Sequence, residues 1–317
     1  MDFLSRLLAS TPVTGRLEVR CHLGSPWRLE QPRAGQREIP FHVILGGAAV
    51  VEGGEGGARL LRAGDIVLFP SGEAHVLHDG SGRRPKPIRE HSSTTIMVAE
   101  NAGRGAQADF LCGRFILPAA SEQLVVALLP SRFVVSSTDE QATDTKLARL
   151  VGLMREESLE EGPGSLVMVG HLCAALFALT LRFASACENA PRGLLALSRN
   201  RRLQPAVLAM FEQPHRPWTL PDLAAMCNMS RATLARQFEA AIGISPSDML
   251  TQIRMMQAAR KLAQNTESVA AIGDAVGYLS EAAFQRAFSR HMGVSPARWR
   301  ANAGESSPRK DTALDFP

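Results

Sequence analysis

Two stretches near the C-terminus repeat one pattern. Met229 to Pro246 reads MSRATLARQFEAAIGISP, and Leu279 to Pro296, 50 residues later, reads LSEAAFQRAFSRHMGVSP. Whatever the first copy folds into, the second must fold into as well. Each is patterned as a capped helix. Ser230 and Ser280 stand where an N-cap belongs. Leu234, Phe238 and Ile242 recur at i, i+4 and i+8, as do Phe284, Phe288 and Met292, so each copy carries one apolar stripe. Gly243 and Gly293 follow at the position where a helix ends with positive φ. Ser245-Pro246 and Ser295-Pro296 then supply a new N-cap with Pro at the first helical position.

A shorter helix precedes each copy. TLPDLAAMC has Thr219 as N-cap and is joined through Asn228; SVAAIGDAV has Ser268 as N-cap and is joined through Gly277. A short helix, a tight turn and a capped second helix make a helix-turn-helix, and the unit occurs twice. Between the two runs SPSDMLTQIRMMQAARKLAQNT, helically spaced and uninterrupted after Pro246. About 20 helical residues span ~30 Å, close to the ~34 Å between successive major grooves on one duplex face. With the apolar stripes inward, Ala232, Ala235, Arg236 and Glu239 face outward in the first copy, and Ala282, Gln285, Arg286 and Ser289 in the second. Arg reads guanine bidentately and Gln can read adenine. Arg231 and Glu281, near the helix starts, are placed for backbone or base edges. Arg254, Arg260 and Lys261 on the connector read as phosphate contacts or plain surface. A lone exposed Arg is ordinarily a solvated charge; the duplication favours DNA.

Charge distribution agrees. The chain of 317 residues carries only +4, but from 195 to 302 there are 13 Arg and Lys against seven Asp and Glu. Positive charge therefore gathers around the repeat, where phosphate neutralisation would use it. The opening MDFLSRLLAS is amphipathic without a long apolar core, so no secretory signal is expected. Five cysteines without a CxxC pair suggest free thiols in a reducing cytoplasm. The most apolar run, Ser165 to Cys187, holds His171 and Arg182 and reads as a buried or interface helix rather than a membrane span.

Residues 200–302 resemble the DNA-binding domain of the AraC/XylS family of bacterial transcription regulators. PWTLPDLAAMCNMSRATLARQF, GISP, RMMQAARKLA and AIGDAVGYLSEAAFQRAFSRHMGVSPARWR carry the resemblance. It implies two helix-turn-helix units on promoter double-stranded DNA, with RNA polymerase as a further partner. It also implies that bases are met from Arg231, Ala232, Ala235 and Arg236, then Glu281, Ala282, Gln285 and Arg286, beside the caps Ser230 and Ser280. Three of these positions hold Ala, which departs from members with large polar side chains and leaves the operator sequence open.

The N-terminal part alternates short apolar stretches with Gly-rich turns, which predicts an antiparallel barrel or jelly roll over 15–135. GDIVLFPSGEAHVLHD matches the second cupin motif, with Gly64, Pro70, Gly72 and His75. The first motif is reduced to His42. His42, His75 and His78 are therefore candidate metal ligands, with hydrogen-bonded barrel histidines as the alternative; no cofactor is expected. Cys21 lies between Arg20 and His22, and Cys112 lies two residues before Arg114. Positive neighbours would lower a thiol pKa and favour oxidation. MDFLSRLLAS, CHLGSPWRL, GDIVLFPSGEAH and CGRF resemble the hypochlorous-acid-responsive branch of AraC-type regulators with cupin sensors. That resemblance makes Cys21 and Cys112 the redox-sensing pair. Cys173, Cys187 and Cys227 read as packing residues.

The expected fold class is α+β multidomain. A cupin-like β-barrel sensor fills 1–140, a helical connector and dimerisation region 141–194, an all-α domain with two helix-turn-helix units 195–302, and a disordered tail 303–317. The expected function is a cytoplasmic, sequence-specific, DNA-binding transcription activator responding to oxidant stress through cysteine oxidation, not an enzyme, with a homodimer as a candidate assembly. An AraC-type regulator sensing a small molecule or metal in the barrel is the alternative. A cupin metalloenzyme with a DNA-binding appendage is the third; it needs a ligand set the sequence does not show.

Overall fold

The computed structural model describes residues 2–92, 96–136, 144–159, 162–186, 192–264 and 266–305. It divides into two compact units: Met1–Arg201 with Ala240–Gly243, and Arg202–Glu239 with Ile244–Pro317. The start expected for the DNA-binding domain at 195 falls inside a helix of the first unit.

The first unit opens with α1 (Phe3–Ser10), capped by Asp2, whose carboxylate accepts from the Ser5 amide; Phe3 and Leu7 are its buried residues. Eleven strands follow among the described residues: β1 (Thr14–Gly24), β2 (Arg28–Gln31), β3 (Glu38–Gly46), β4 (Ala48–Glu52), β5 (Arg59–Arg62), β6 (Asp65–Leu68), β7 (His75–His78), β8 (Ile88–Ser92), β9 (Met97–Asn101), β10 (Gln107–Ile116) and β11 (Phe133–Ser136). They form one sheet in the order β11-β6-β3-β10-β1-β9-β8 and another in the order β2-β7-β4-β5. The cupin-type sheets expected from the sequence are present. One pairing departs from the antiparallel expectation, because β1 and β9 run parallel.

β10 sits between β1 and β3. Its Phe110, Leu111 and Phe115, with Phe41, Val43 and Ile44 of β3, have almost no solvent exposure. Phe41 and Phe115 stack at 4.2 Å. Fully burying one such side chain contributes ~1.5–3 kcal/mol. The sheet centre is therefore dry, and polar side chains on it need partners within the fold.

Four helices complete the unit: α2 (Glu122–Leu128), α3 (Asp144–Leu159), α4 (Ser165–Ala186) and α5 (Leu194–Arg199). α4 is long and apolar enough, by length and composition alone, to cross a membrane. It packs instead on β1 and α3, burying Val169, Leu172, Cys173, Leu176, Phe177 and Leu181. The approach to β1 is close. A Cβ on Gly15 would lie 2.4 Å from Cys173 Cβ, so only glycine admits the helix there. Cys187 and residues 188–191 of the expected linker lie outside the described residues.

The second unit is helical: α6 (Gln204–Glu212), α7 (Leu220–Met226), α8 (Arg231–Ile242), α9 (Pro246–Gln264), α10 (Val269–Ala275), α11 (Glu281–Met292) and α12 (Pro296–Glu305). Each expected cap is made. Thr219 and Asp222 form a reciprocal capping box on α7. Ser230 accepts from the Thr233 amide, Ser268 from Ala271 and Ser280 from Ala283. Asn228 has φ 52, and Gly243 and Gly293 have φ 81 and 74, the left-handed values expected for turn and helix ends. Leu234, Phe238, Phe284 and Phe288 have no exposure; Met292, expected on the same stripe, is half-buried. α12 runs to Glu305, taking in the first three residues of the expected tail; the rest of that tail, 306–317, lies outside the described residues.

Candidate functional site

Two sites emerge, one in each unit. In the second unit Ser230, Arg231, Ala232 and Arg236 are exposed and Ala235 is half-buried. Ser280, Glu281, Ala282, Gln285 and Arg286 are exposed in the second copy. Gln285 donates to the Glu281 carboxylate at 2.8 Å, one turn earlier, so these two polar ends meet on the open face. Sequence reasoning missed Leu279, which is fully exposed immediately before the cap Ser280. An apolar residue before an N-cap ordinarily folds back on its own helix; here it stands clear beside the polar face.

Arg254 is not a phosphate contact. It is half-buried on α9 and donates to the Pro214 carbonyl at 2.7 Å and the Arg216 carbonyl at 3.0 Å. Its guanidinium lies 5.8 Å over the Tyr278 ring. One side chain of the connector thus ties the approach to the first helix-turn-helix to the turn of the second. Arg260 is exposed, and Lys261 lies 3.9 Å from Glu267.

In the first unit, Cys21 lies on β1 and Cys112 on β10. Cys21 pairs with Phe110 and Val19 with Cys112, so the two cysteines are diagonal neighbours on one face. Such neighbours have Cα atoms ~7–8 Å apart, just beyond the ~7 Å that a disulfide spans without backbone movement, so bridging them requires the strands to shift. The neighbouring Cys21 thiol raises the pKa of Cys112, and both thiols are buried and unbridged.

The charges flanking them do not lower the Cys112 pKa. Adjacent strand residues face opposite sides, so Arg20 and His22 turn away from Cys21. Arg20 pairs with Asp109 at 3.0 Å, and His22 lies 3.5 Å from the same carboxylate. Arg114 pairs with Glu18 and Glu38 at 3.1 and 2.5 Å. The neighbouring Cys21 thiol, then burial, pushes the Cys112 thiol well above its ordinary value. At Cys112 the expectation of a thiolate primed by a positive neighbour is overturned by burial and by the ion pairs that occupy Arg114.

The histidines divide. His42 on β3 pairs in register with Cys112, and its Nδ1 lies 3.0 Å from Cys112 Sγ. His42 Nε2 lies 2.7 Å from His75 Nε2. His75 Nδ1 lies 2.8 Å from the Glu73 carbonyl, and its ring stacks on Phe69 at 3.7 Å. Burial holds His42 well below 6.5 and His75 down at about 4, so both rings are neutral near pH 7. His78 is three residues along β7 from His75, faces the other way, and lies 3.3 Å from Glu52. The three candidate ligands are therefore not brought together. Among the described residues no group of three His, Cys, Asp or Glu is placed to hold a metal ion. Sequence reasoning missed the contact joining His42 to Cys112, for which register was the only signal.

The sheet-rich unit followed by a duplicated helix-turn-helix with an open polar face defines a two-domain transcription regulator. The Cupin family profile matches residues 2–186 and a Helix-turn-helix domain profile matches residues 223–302. The chain belongs to the AraC-type transcription regulators that carry an N-terminal cupin domain.

Two relatives align almost end to end. The RCS-specific HTH-type transcriptional activator RclR of Escherichia coli K12 is 29% identical over 97% of this chain and 100% of its own. The HTH-type transcriptional regulator MtrA of Neisseria gonorrhoeae is 30% identical over 96% and 100%. Among solved structures, the DNA-binding domain of AdpA in complex with a target DNA is similar at 32% identity over 34% of this chain and 97% of that one, with a TM-score of 0.32.

Proposed function

We propose that the chain is a cytoplasmic transcription activator whose cupin domain responds to a chlorinating oxidant through Cys21 and Cys112. The diagonal placement of these cysteines, thiol against thiol in a dry sheet, carries this reading. The name of RclR, an RCS-specific activator similar over almost the whole chain, supports it. Two thiols and one hypochlorous acid give one disulfide, one chloride, one water and one proton, so the pair can accept the full two-electron oxidation.

The changed sensor alters how Arg231, Ala232, Ala235, Arg236, Glu281, Ala282, Gln285 and Arg286, beside Ser230 and Ser280, engage promoter DNA or how the bound protein engages RNA polymerase. A second copy of the chain is the proposed occupant of the apolar face formed by Leu166, Val167 and Met168 on α4, all exposed. Continuity with the helical pair expected to dimerise supports that assignment.

The test combines thiol mapping with promoter output. Full-length protein exposed to hypochlorous acid is digested and its thiols are mapped by mass spectrometry, while oxidant-dependent transcription is followed from its promoter. Cys21 and Cys112 are expected to be modified, and Cys21→Ser or Cys112→Ser to abolish the oxidant response while DNA binding by the resting protein is kept. Unmodified Cys21 and Cys112 beside an intact response would remove the redox reading.

A further inference from the structure

Cys112 presents a chemical difficulty for that reading. A thiol attacks an oxidant as its thiolate, yet at Cys112 the neighbouring Cys21, burial and, less strongly, the Glu18 carboxylate all oppose a thiolate. Something inside the fold must take its proton.

The hydrogen bonds leave one consistent assignment of protons. The Glu73 carbonyl can only accept, so His75 Nδ1 carries the hydrogen between them. In a neutral imidazole the other nitrogen is then bare, so His75 Nε2 accepts. Across the 2.7 Å contact, His42 Nε2 must be the donor. His42 Nδ1 is therefore bare, and the proton in its 3.0 Å contact with Cys112 comes from the thiol. The chain runs from Cys112 to His42 to His75 to the Glu73 carbonyl, and its direction is fixed at the backbone end. Both nitrogens of His42 are engaged, which sets this arrangement apart from a ligand waiting for a metal.

We propose that His42 is the base that takes the Cys112 thiol proton when the oxidant arrives, and that His75, fixed to the Glu73 carbonyl, is the positioning residue that keeps His42 in the tautomer able to do so. The proposal rests on the redox reading above. In the step itself, the Cys112 proton moves to His42 Nδ1 as Sγ attacks the chlorine of hypochlorous acid. The S–Cl bond forms and the Cl–O bond breaks. Hydroxide leaves with the bonding pair and takes the proton from His42 to depart as water. Sulfur loses two electrons and chlorine goes from +1 to −1. The Cys21 sulfur then displaces chloride from Cys112 Sγ, closing the S–S bond, and its proton passes to the freed His42 Nδ1. An adjacent base for a weak nucleophile is the arrangement that activates catalytic thiols. Of the other charged groups near the cluster, Glu18 on β1 disfavours a thiolate and Arg114 on β10 disfavours a protonated His42; the two pair with each other at 3.1 Å, which lessens both effects.

The experiment uses the full chain and taurine chloramine, a slower donor of the same chlorine equivalent, so that Cys112 oxidation can be timed by quenched mass spectrometry from pH 6 to 8. Wild type is expected to react at a rate nearly independent of pH, because the base is internal and already neutral. His42→Asn keeps a hydrogen-bond acceptor near Sγ but cannot take the proton. It should react on the order of 10²-fold more slowly at pH 7, with a rate rising about tenfold per pH unit. A His42→Asn protein with wild-type melting temperature, rate and pH profile overturns the proposal. Should that variant fail to fold, the long-range proton–nitrogen spectrum of labelled wild type decides. Hydrogen on His42 Nε2 and on His75 Nδ1 supports the assignment, and hydrogen on His42 Nδ1 overturns it. If neither Cys21 nor Cys112 of wild type reacts, the oxidant reading falls and the base falls with it. If both react and only the His42 results fail, the oxidant reading stands alone.

Discussion

Burial leaves His42 and His75 uncharged, and this has a consequence for stability that needs no oxidant. An unfolded histidine takes a proton near 6.5, whereas folded His75 takes one only at about 4. Between these values the unfolded chain binds more protons, so acidification favours unfolding. The stability held by neutral His75 is complete above about pH 6.5 and lost as pH falls toward 4, by up to about 3 kcal/mol. His42 shifts in the same direction. Thermal melts across that range should show the cupin unit weakening, and His75→Gln should flatten the fall; parallel curves for the two proteins would contradict this origin. In the other unit, Arg236→Ala and Arg286→Ala should each weaken operator binding about tenfold or more, the loss of one bidentate base contact at ~1–3 kcal/mol. Their melting temperatures should not change, because both side chains are exposed.

At the scale of elements, the two helix-turn-helix units were legible in the sequence and the thiol–imidazole cluster was not. Caps, stripes and left-handed turns act within a few residues, so Ser230, Phe238 and Gly243 announce a helix without reference to the rest of the chain. The cluster joins positions 21, 42, 75 and 112 across three strands of one sheet and one of another. It exists only once the register of β1, β3 and β10 is set, and no local pattern encodes that register. The same cause misled the charge argument, since Arg20 beside Cys21 in sequence is on the opposite face in the strand. Arg254 was misjudged because its partners are carbonyls 38 and 40 residues away. Its role at this scale is to hold the two helix-turn-helix units at their spacing. Arg254→Ala leaves the Pro214 and Arg216 carbonyls without that donor and should destabilise the helical unit by about 1–3 kcal/mol, seen as an earlier denaturant midpoint. Gly277→Ala should cost at least as much. Gly277 has φ 88, and a Cβ there would lie 2.5 Å from the His215 carbonyl.

For the whole molecule, the proposed second copy makes a prediction of its own. Leu166, Val167 and Met168 begin α4 with their side chains largely in solvent, while the same helix is buried further along. Leu166→Glu together with Met168→Glu should shift the sedimentation coefficient from dimer to monomer without lowering the melting temperature of the protomer. An unchanged coefficient would place self-association elsewhere. These residues lie at the start of a helix whose middle rests on β1, the strand that carries Cys21. At that crossing Gly15 offers bare backbone, and Gly170 of α4 would bring a Cβ within 3.4 Å of the Gly15 carbonyl. Rod and ribbon touch there with no compliant layer between them. A bond that drew Cys21 sideways would therefore be felt along α4 as a push on rigid matter, and the greasy end of that rod is the part best placed to report it.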